Sequence, residues 1–176
     1  MFTVAIIAIV VAIAIAAVLI FAATKPDAFR IERSITIKSP PEKIFPLLDD
    51  LHAHSSWSPF EKDPNMKRKH SGTPRGTGSV YEWEGNREVG KGRIAIVDTV
   101  PPSKVMLKLD MFTPFEAHNS VDFTLVPNGG GTNVIWGMQG KQPFMMKLMS
   151  TVINCEKMVG RQFEEGLAKL KAIAER

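Results

Sequence analysis

The chain has 176 residues, 44% of them hydrophobic, which suits one domain plus an appendage. Its single cysteine, Cys155, excludes an intramolecular disulfide and agrees with a reducing compartment. A formal charge of +4 is a mild excess, far from the composition of a nucleic-acid-binding domain.

No side chain from Met1 to Ala23 is charged, and Thr3 is the only polar one among them. As a helix, Phe2 to Ala23 would be about 33 Å long, enough to cross a hydrocarbon core of about 30 Å. A cleavable signal peptide would want a basic n-region and a shorter apolar core. No cysteine lies near the segment to carry a lipid. The expectation is an uncleaved single-pass anchor over residues 1–24, a linker over 25–28 and a folded domain over 29–176. Lys25, Arg30, Arg33, Lys38 and Lys43 follow the span and no cation precedes it. The positive-inside rule then puts the domain on the cytoplasmic side of the cell membrane; a fused reporter active only outside the cell would reverse that orientation.

Phe29 to Lys38 alternates, with Phe29, Ile31, Ile35 and Ile37 on one face of a strand. Ser39-Pro40-Pro41-Glu42 has the spacing of a capping box and opens a short helix through Ile44, Phe45, Leu47 and Leu48. Asp49 to Phe60 reads as a short helix or loop, and its Trp57, Pro59 and Phe60 suit a lid, a membrane-facing rim or a plug for one end of the core. Strands then follow at Lys67–Gly72, Gly78–Trp83 and Gly92–Val100, and around Leu107, Phe123 and Trp136. Gly85-Asn86, Pro101-Pro102 and Pro127 to Gly131 mark the breaks between them. Hairpin-scale connections imply an antiparallel sheet.

From Pro143 the residues Leu148, Val152, Cys155, Val159, Phe163, Leu167, Leu170 and Ala174 recur at helical spacing. They predict a long C-terminal helix, continuous or broken near Ser150–Asn154, where Ser150-Thr151-Val152-Ile153 is a weak helical run. The strands have no other large apolar stripe to cover them. The fold class is therefore α+β: one curled antiparallel sheet around one helix.

Ile31-Glu32-Arg33-Ser34-Ile35-Thr36-Ile37 followed by Ser39-Pro40-Pro41-Glu42-Lys43-Ile44-Phe45, then Trp57-Ser58-Pro59-Phe60, Tyr81-Glu82-Trp83, Gly90-Lys91-Gly92, Gly131-Thr132-Asn133-Val134-Ile135-Trp136 and Gly166-Leu167-Ala168-Lys169-Leu170-Lys171 occur in an order that resembles the helix-grip fold of the START and birch-pollen-allergen (SRPBCC) superfamily. Within it, the chain resembles the polyketide cyclase/dehydrase and lipid-transport family over residues 29 to 176. The anchor is not part of the usual pattern. The resemblance implies a cavity between sheet and C-terminal helix for a hydrophobic small molecule such as a lipid, isoprenoid or polyketide-like compound.

The small residues Cys155, Gly160 and Gly166 on the helix are expected to leave that space. Its expected lining is Trp57, Phe60, Tyr81, Trp83, Leu109, Phe112, Trp136, Met138, Met145, Met149, Val159 and Phe163, with methionine supplying an adaptable wall. Core filling by the same side chains, with the glycines permitting close helix–sheet packing, is the competing reading. His52 and His54 form an H-x-H pair without further ligands at suitable spacing, so no metal is expected. Gly85 to Gly92 lacks the Ser/Thr and the following helix of a phosphate loop. Lys67-Arg68-Lys69-His70 has no interleaved aromatics for nucleic acid and reads as a charged edge strand. Glu82 and Glu84 fall on the outer face, and Cys155 reads as a buried inert thiol. No cofactor and no catalytic residue is expected. A cyclase or dehydratase would need a buried titratable group at the cavity, for which His118 is a candidate. A protein-interaction module would show a filled core and an exposed apolar patch.

Overall fold

The computed structural model describes residues 2–152 and 154–176. Helix α1 (Phe2–Thr24) is long and apolar enough to be a candidate membrane span. After it come β1 (Ala28–Ile37), α2 (Pro41–Asp49) and a 3-10 turn at Ala53–Ser56. The remaining strands are β2 (Lys67–Gly72), β3 (Ser79–Glu84), β4 (Lys91–Val100), β5 (Lys104–Thr113), β6 (Ala117–Asn128) and β7 (Gly131–Lys141). Two helices follow, α3 (Phe144–Val152) and α4 (Cys155–Ala174). All strands pair antiparallel in the order β1-β7-β6-β5-β4-β3-β2. α4 packs on β1 and β7, and α2 on β5 and β6, which is the expected helix-grip arrangement.

Side-chain alternation sets the concave face. The register aligns Leu107, Val121, Met138 and Ile31 in one row across the sheet, and Val105, Phe123 and Trp136 in the next. All of these are buried, and they meet Phe163, Leu167, Leu170 and Ala174 of α4 in one core. Arg33 ends the second row and has the same inward parity. Its guanidinium reaches Glu164 (2.8 Å) and Glu156 (2.7 Å) beside Gly160 of α4. A register shift between Ile96 and Asp98 in β4 adds to the bend of the sheet.

The C-terminal segment is two helices. The Asn154 side chain accepts from the Lys157 backbone N–H at 2.9 Å and starts α4 afresh. Ile153 of the weak helical run lies outside the described residues. Leu148 therefore belongs to a helix that packs on α1, not to the stripe that grips the sheet. The capping box does not form either. Pro40 is the N-cap of α2, and Ser39 Oγ is buried without a partner. Pro40 takes the N-cap position in extended backbone, so the helix starts one residue later than the box requires. Cys155 is half-buried at the first position of α4, not enclosed as expected.

The glycines of α4 follow the competing reading, close packing, and do not leave space. At Gly166 the helix backbone comes so close to the sheet that a Cβ would lie 2.8 Å from Trp136 Cζ3 and 2.9 Å from Pro59 Cδ. Gly160 gives its space to the Arg33 guanidinium. Both positions are contacts, not voids. Gly166→Ala is expected to lower stability by about 1–2 kcal/mol, because overpacking outweighs the helix-propensity gain of about 1 kcal/mol. A higher denaturant midpoint for this variant would refute the close approach.

Candidate functional site

A cavity of about 340 Å³ lies under the first turns of α4, between the concave sheet and the segment from His54 to Met66. Leu109 and Met111 of β5, Val121 and Phe123 of β6, and Trp136 and Met138 of β7 form its floor, because they share the inward parity of their strands. Phe163 of α4 stacks on Trp136 with ring centroids 4.1 Å apart and 6° between planes. Trp57 closes one end of the space. It stands edge-on to Phe123 and Trp136, and its Nε1–H donates to the Leu47 carbonyl at 2.9 Å.

The wall is apolar except for a few polar groups. His54 is buried, and its Nε2–H donates to the Leu48 carbonyl at 3.1 Å, since a carbonyl can only accept. Burial holds the imidazole down to a pKa of about 4, so it is neutral at physiological pH. Tyr81 O–H donates to Glu61 Oε1 at 2.7 Å, and Arg68 Nε donates to Glu61 Oε2 at 2.8 Å. Burial and then the Glu61 carboxylate push the Tyr81 phenol well above its ordinary range. This cluster ties the irregular segment at Glu61 to strands β2 and β3. Lys62 adds a second tie to Glu88 at 3.1 Å. Lys62, Met158 and Gln162 also border a shallow depression of about 370 Å³ over α4, lined further by Asn154, Lys157, Arg161 and Glu165. Half-exposed Phe60 and exposed Met158 form part of the rim.

A narrow apolar cavity between a gripped helix and a curled sheet agrees with the family model that matches the chain. That model, described as polyketide cyclase / dehydrase and lipid transport, covers residues 28–175. The chain belongs to this family. Family membership implies a fold built for hydrophobic ligands or for cyclase/dehydrase-type chemistry.

Solved structures show the same architecture at low identity. Protein MLL2253 from Mesorhizobium loti aligns with a TM-score of 0.62 and 17% identity over 84% of this chain and 98% of its own. Protein CV1439 from Chromobacterium violaceum gives 0.59 and 18% over 86% and 99%. The di-domain ARO/CYC protein StfQ from the steffimycin biosynthetic pathway gives 0.63 and 12%, over 84% of this chain and 51% of that one. At these identities the likeness is one of fold. No curated protein sequence matches the chain.

Of the residues expected to line a cavity, Trp57, Phe60, Tyr81 and Trp83 do so, together with Leu109, Trp136, Met138 and Phe163. Four lie elsewhere. Phe112 is 45% exposed, because its parity on β5 is opposite to that of Leu109 and Met111. Met145 and Met149 are exposed on α3, which the break before α4 carries away from the sheet. Val159 packs partly buried against the core one turn before Phe163, and Met158 and Gln162 take the cavity side.

Sequence reasoning missed His54, Glu61, Lys62 and Met66, which sit in irregular chain where no periodicity points inward. Met111, Val121 and Phe123 were readable, since they continue the alternation of Leu109 and Met138. His118 is not at the cavity: its half-exposed ring meets Asp110 at 2.6 Å and Glu116 at 3.4 Å. His52 turns away from His54 and stacks on His70 at 4.0 Å. No group of three metal-ligating side chains occurs among the described residues. Glu82 and Glu84 form exposed pairs with Lys69 and Lys91.

Proposed function

We propose that the protein is a membrane-tethered carrier that takes a hydrophobic small molecule, of lipid, isoprenoid or polyketide-like character, into the cavity between sheet and α4. The observation that carries this reading is the cavity itself. Its volume of about 340 Å³ falls within the range of about 300–1,000 Å³ typical of small-molecule sites, and its wall is apolar with a few polar groups. Removing apolar ligand surface from water supplies about 25 cal/mol per Å², so affinity follows chain length and shape more than headgroup chemistry. Residues 29–176 form the binding module, and α1 anchors it to the bilayer. An interaction module has less support, because the interior holds space that such a module would fill.

Native mass spectrometry of the full chain, released gently from its own membrane, is expected to show one bound apolar mass. Met138→Trp and Leu109→Trp fill the cavity and are expected to weaken uptake of a fluorescent fatty acid by at least about tenfold, at an overpacking cost of about 1–3 kcal/mol. No bound mass and no uptake by the parent protein would overturn the reading.

The buried His54 and the Tyr81–Glu61 pair favour one alternative, a dehydratase- or cyclase-type enzyme in the same cavity. The carrier reading requires the ligand to leave with the mass it had on entry. A released species one water lighter would make these three side chains the acid–base candidates.

A further inference from the structure

Helix α3 has the wrong polarity for water. Its one charged side chain, Lys147, is turned inward and only 6% exposed, while Phe144, Met145, Met146 and Met149 are exposed by 45%, 65%, 37% and 39%. An ordinary surface helix would do the opposite. The polar groups on α3 bond to the linker, to Gln142 and to their own backbone, although the partner carboxylate of Lys147, on Asp27, is itself exposed. Lys147 Nζ donates to Asp27 Oδ1 at 2.5 Å. Ser150 Oγ accepts from Lys25 Nζ at 2.9 Å and from Gln142 Nε2 at 3.2 Å, and donates to the Lys147 carbonyl at 2.8 Å. These partners are the residues that leave α1 and enter α3. The Gln142 backbone N–H donates to the Asp27 carbonyl at 2.7 Å, which locks the two ends side by side. Along α1 itself Ala22 is the one buried residue, and α3 is the helix that packs on α1.

We infer that α3 lies in the headgroup layer of the bilayer that α1 enters, with Phe144, Met145, Met146 and Met149 directed toward the acyl chains. The inference rests on the reading of α1 as a membrane span. The partner is a lipid surface because the exposed apolar face is continuous with the end of the apolar helix, and the linking bonds hold it there. A protein docked on this face would have to sit in the headgroup layer itself. An interfacial helix of this kind buries its apolar side about 5–10 Å deep while keeping its polar groups satisfied. The placement has a consequence for the cavity. α3 is followed in sequence by α4, and Met158, in the first turn of α4, borders both the cavity and the depression beside it. The rim would then be held close to the lipid from which a ligand enters.

The test uses the full chain with Cys155→Ala and one introduced cysteine at a time: Met145→Cys, Met149→Cys, Ile13→Cys or Val97→Cys. All four positions are exposed, so labelling does not disturb the core. Each variant carries an environment-sensitive fluorophore and is reconstituted in phosphatidylcholine/phosphatidylglycerol vesicles with spin labels at shallow or deep acyl positions. Labels at 145 and 149 are expected to lose about half their emission to the shallow quencher and Ile13→Cys to the deep one, with Val97→Cys unaffected. Unquenched 145 and 149 beside a quenched 13 would overturn the placement of α3 and leave the anchor standing. No quenching at any position would overturn the anchor and this inference together. Cross-linking of 145 between copies without lipid quenching would make the face a protein contact and also overturn it.

Discussion

Trp57→Ala is expected to lower the stability of the domain by about 3–5 kcal/mol, the range for truncating a buried large aromatic side chain. Trp57 is 1% exposed although it sits in irregular chain just after a 3-10 turn. Three things hold it there. Its indole meets Phe123 and Trp136 edge-on, it packs against His54 at 4.7 Å between ring centroids, and its N–H satisfies the Leu47 carbonyl at the end of α2. Truncation removes the apolar area, opens a hole beside an existing cavity and leaves the part-buried Leu47 carbonyl without this donor. Trp57→Phe separates these terms: it keeps a ring and loses the hydrogen bond, for an expected loss of about 1–2 kcal/mol. Urea unfolding in detergent, followed by circular dichroism, reads both. A loss below about 1 kcal/mol for Trp57→Ala would mean that the end of the cavity is closed by something other than this side chain.

Mild acid is expected to weaken the fold by about 3 kcal/mol through His54. In the unfolded chain the imidazole takes a proton near pH 6.5, and in the folded protein desolvation delays this to about pH 4. Between those values the unfolded state binds more protons, so stability falls as the pH falls. The contribution is complete above about pH 6.5 and is gone by about pH 4. At about 1.4 kcal/mol per pH unit, that interval is worth about 3 kcal/mol. His70, on the exposed strand β2 but also lowered by desolvation, acts in the same direction. His54→Gln isolates the effect, because glutamine has a donor for the Leu48 carbonyl and does not titrate. Unfolding midpoints at pH 7 and pH 4.5 should differ by much more in the parent chain than in the variant. Equal differences would show that His54 is not desolvated in the folded protein. The carboxylates held low by ion pairs, Asp27 and Asp110 among them, lose their contribution only below about pH 4 and fall outside this window.

Most of the sheet could be read from alternation alone. Val105 and Leu107, and Val121, Phe123 and Leu125, keep period two, Ile31, Ile35 and Ile37 keep it on either side of Arg33, and glycine or proline marks each turn. The same rule would have excluded Phe112, whose parity conflicts with that of Leu109. Helical periodicity was less reliable, because it cannot say what a stripe faces. Leu148 falls in phase with Phe163, yet the break before α4 gives the two residues different neighbours. Small residues were ambiguous in another way. Gly160 and Gly166 suited either empty space or close packing, because a missing side chain also lets another group approach, and Arg33 and Trp136 do so. His54 and Glu61 left no signal, because their inward direction is set by tertiary contacts across an irregular segment.

The sheet joins its earliest strand to its latest. β1 begins four residues after α1 ends, and it pairs with β7 from Ala28↔Lys141 to Ile37↔Thr132. On the ribosome, β7 is made only after nearly the whole domain has emerged. For that interval β1 waits with Ile31, Ile35 and Ile37 uncovered and its hydrogen-bond edge free, and, with α1 spanning the bilayer as proposed, it waits beside the membrane. Long-range closure of this kind is slow and leaves an aggregation-prone edge in the meantime. The proposed tether at α1 would therefore hold the unfinished strand at one place on the membrane during synthesis.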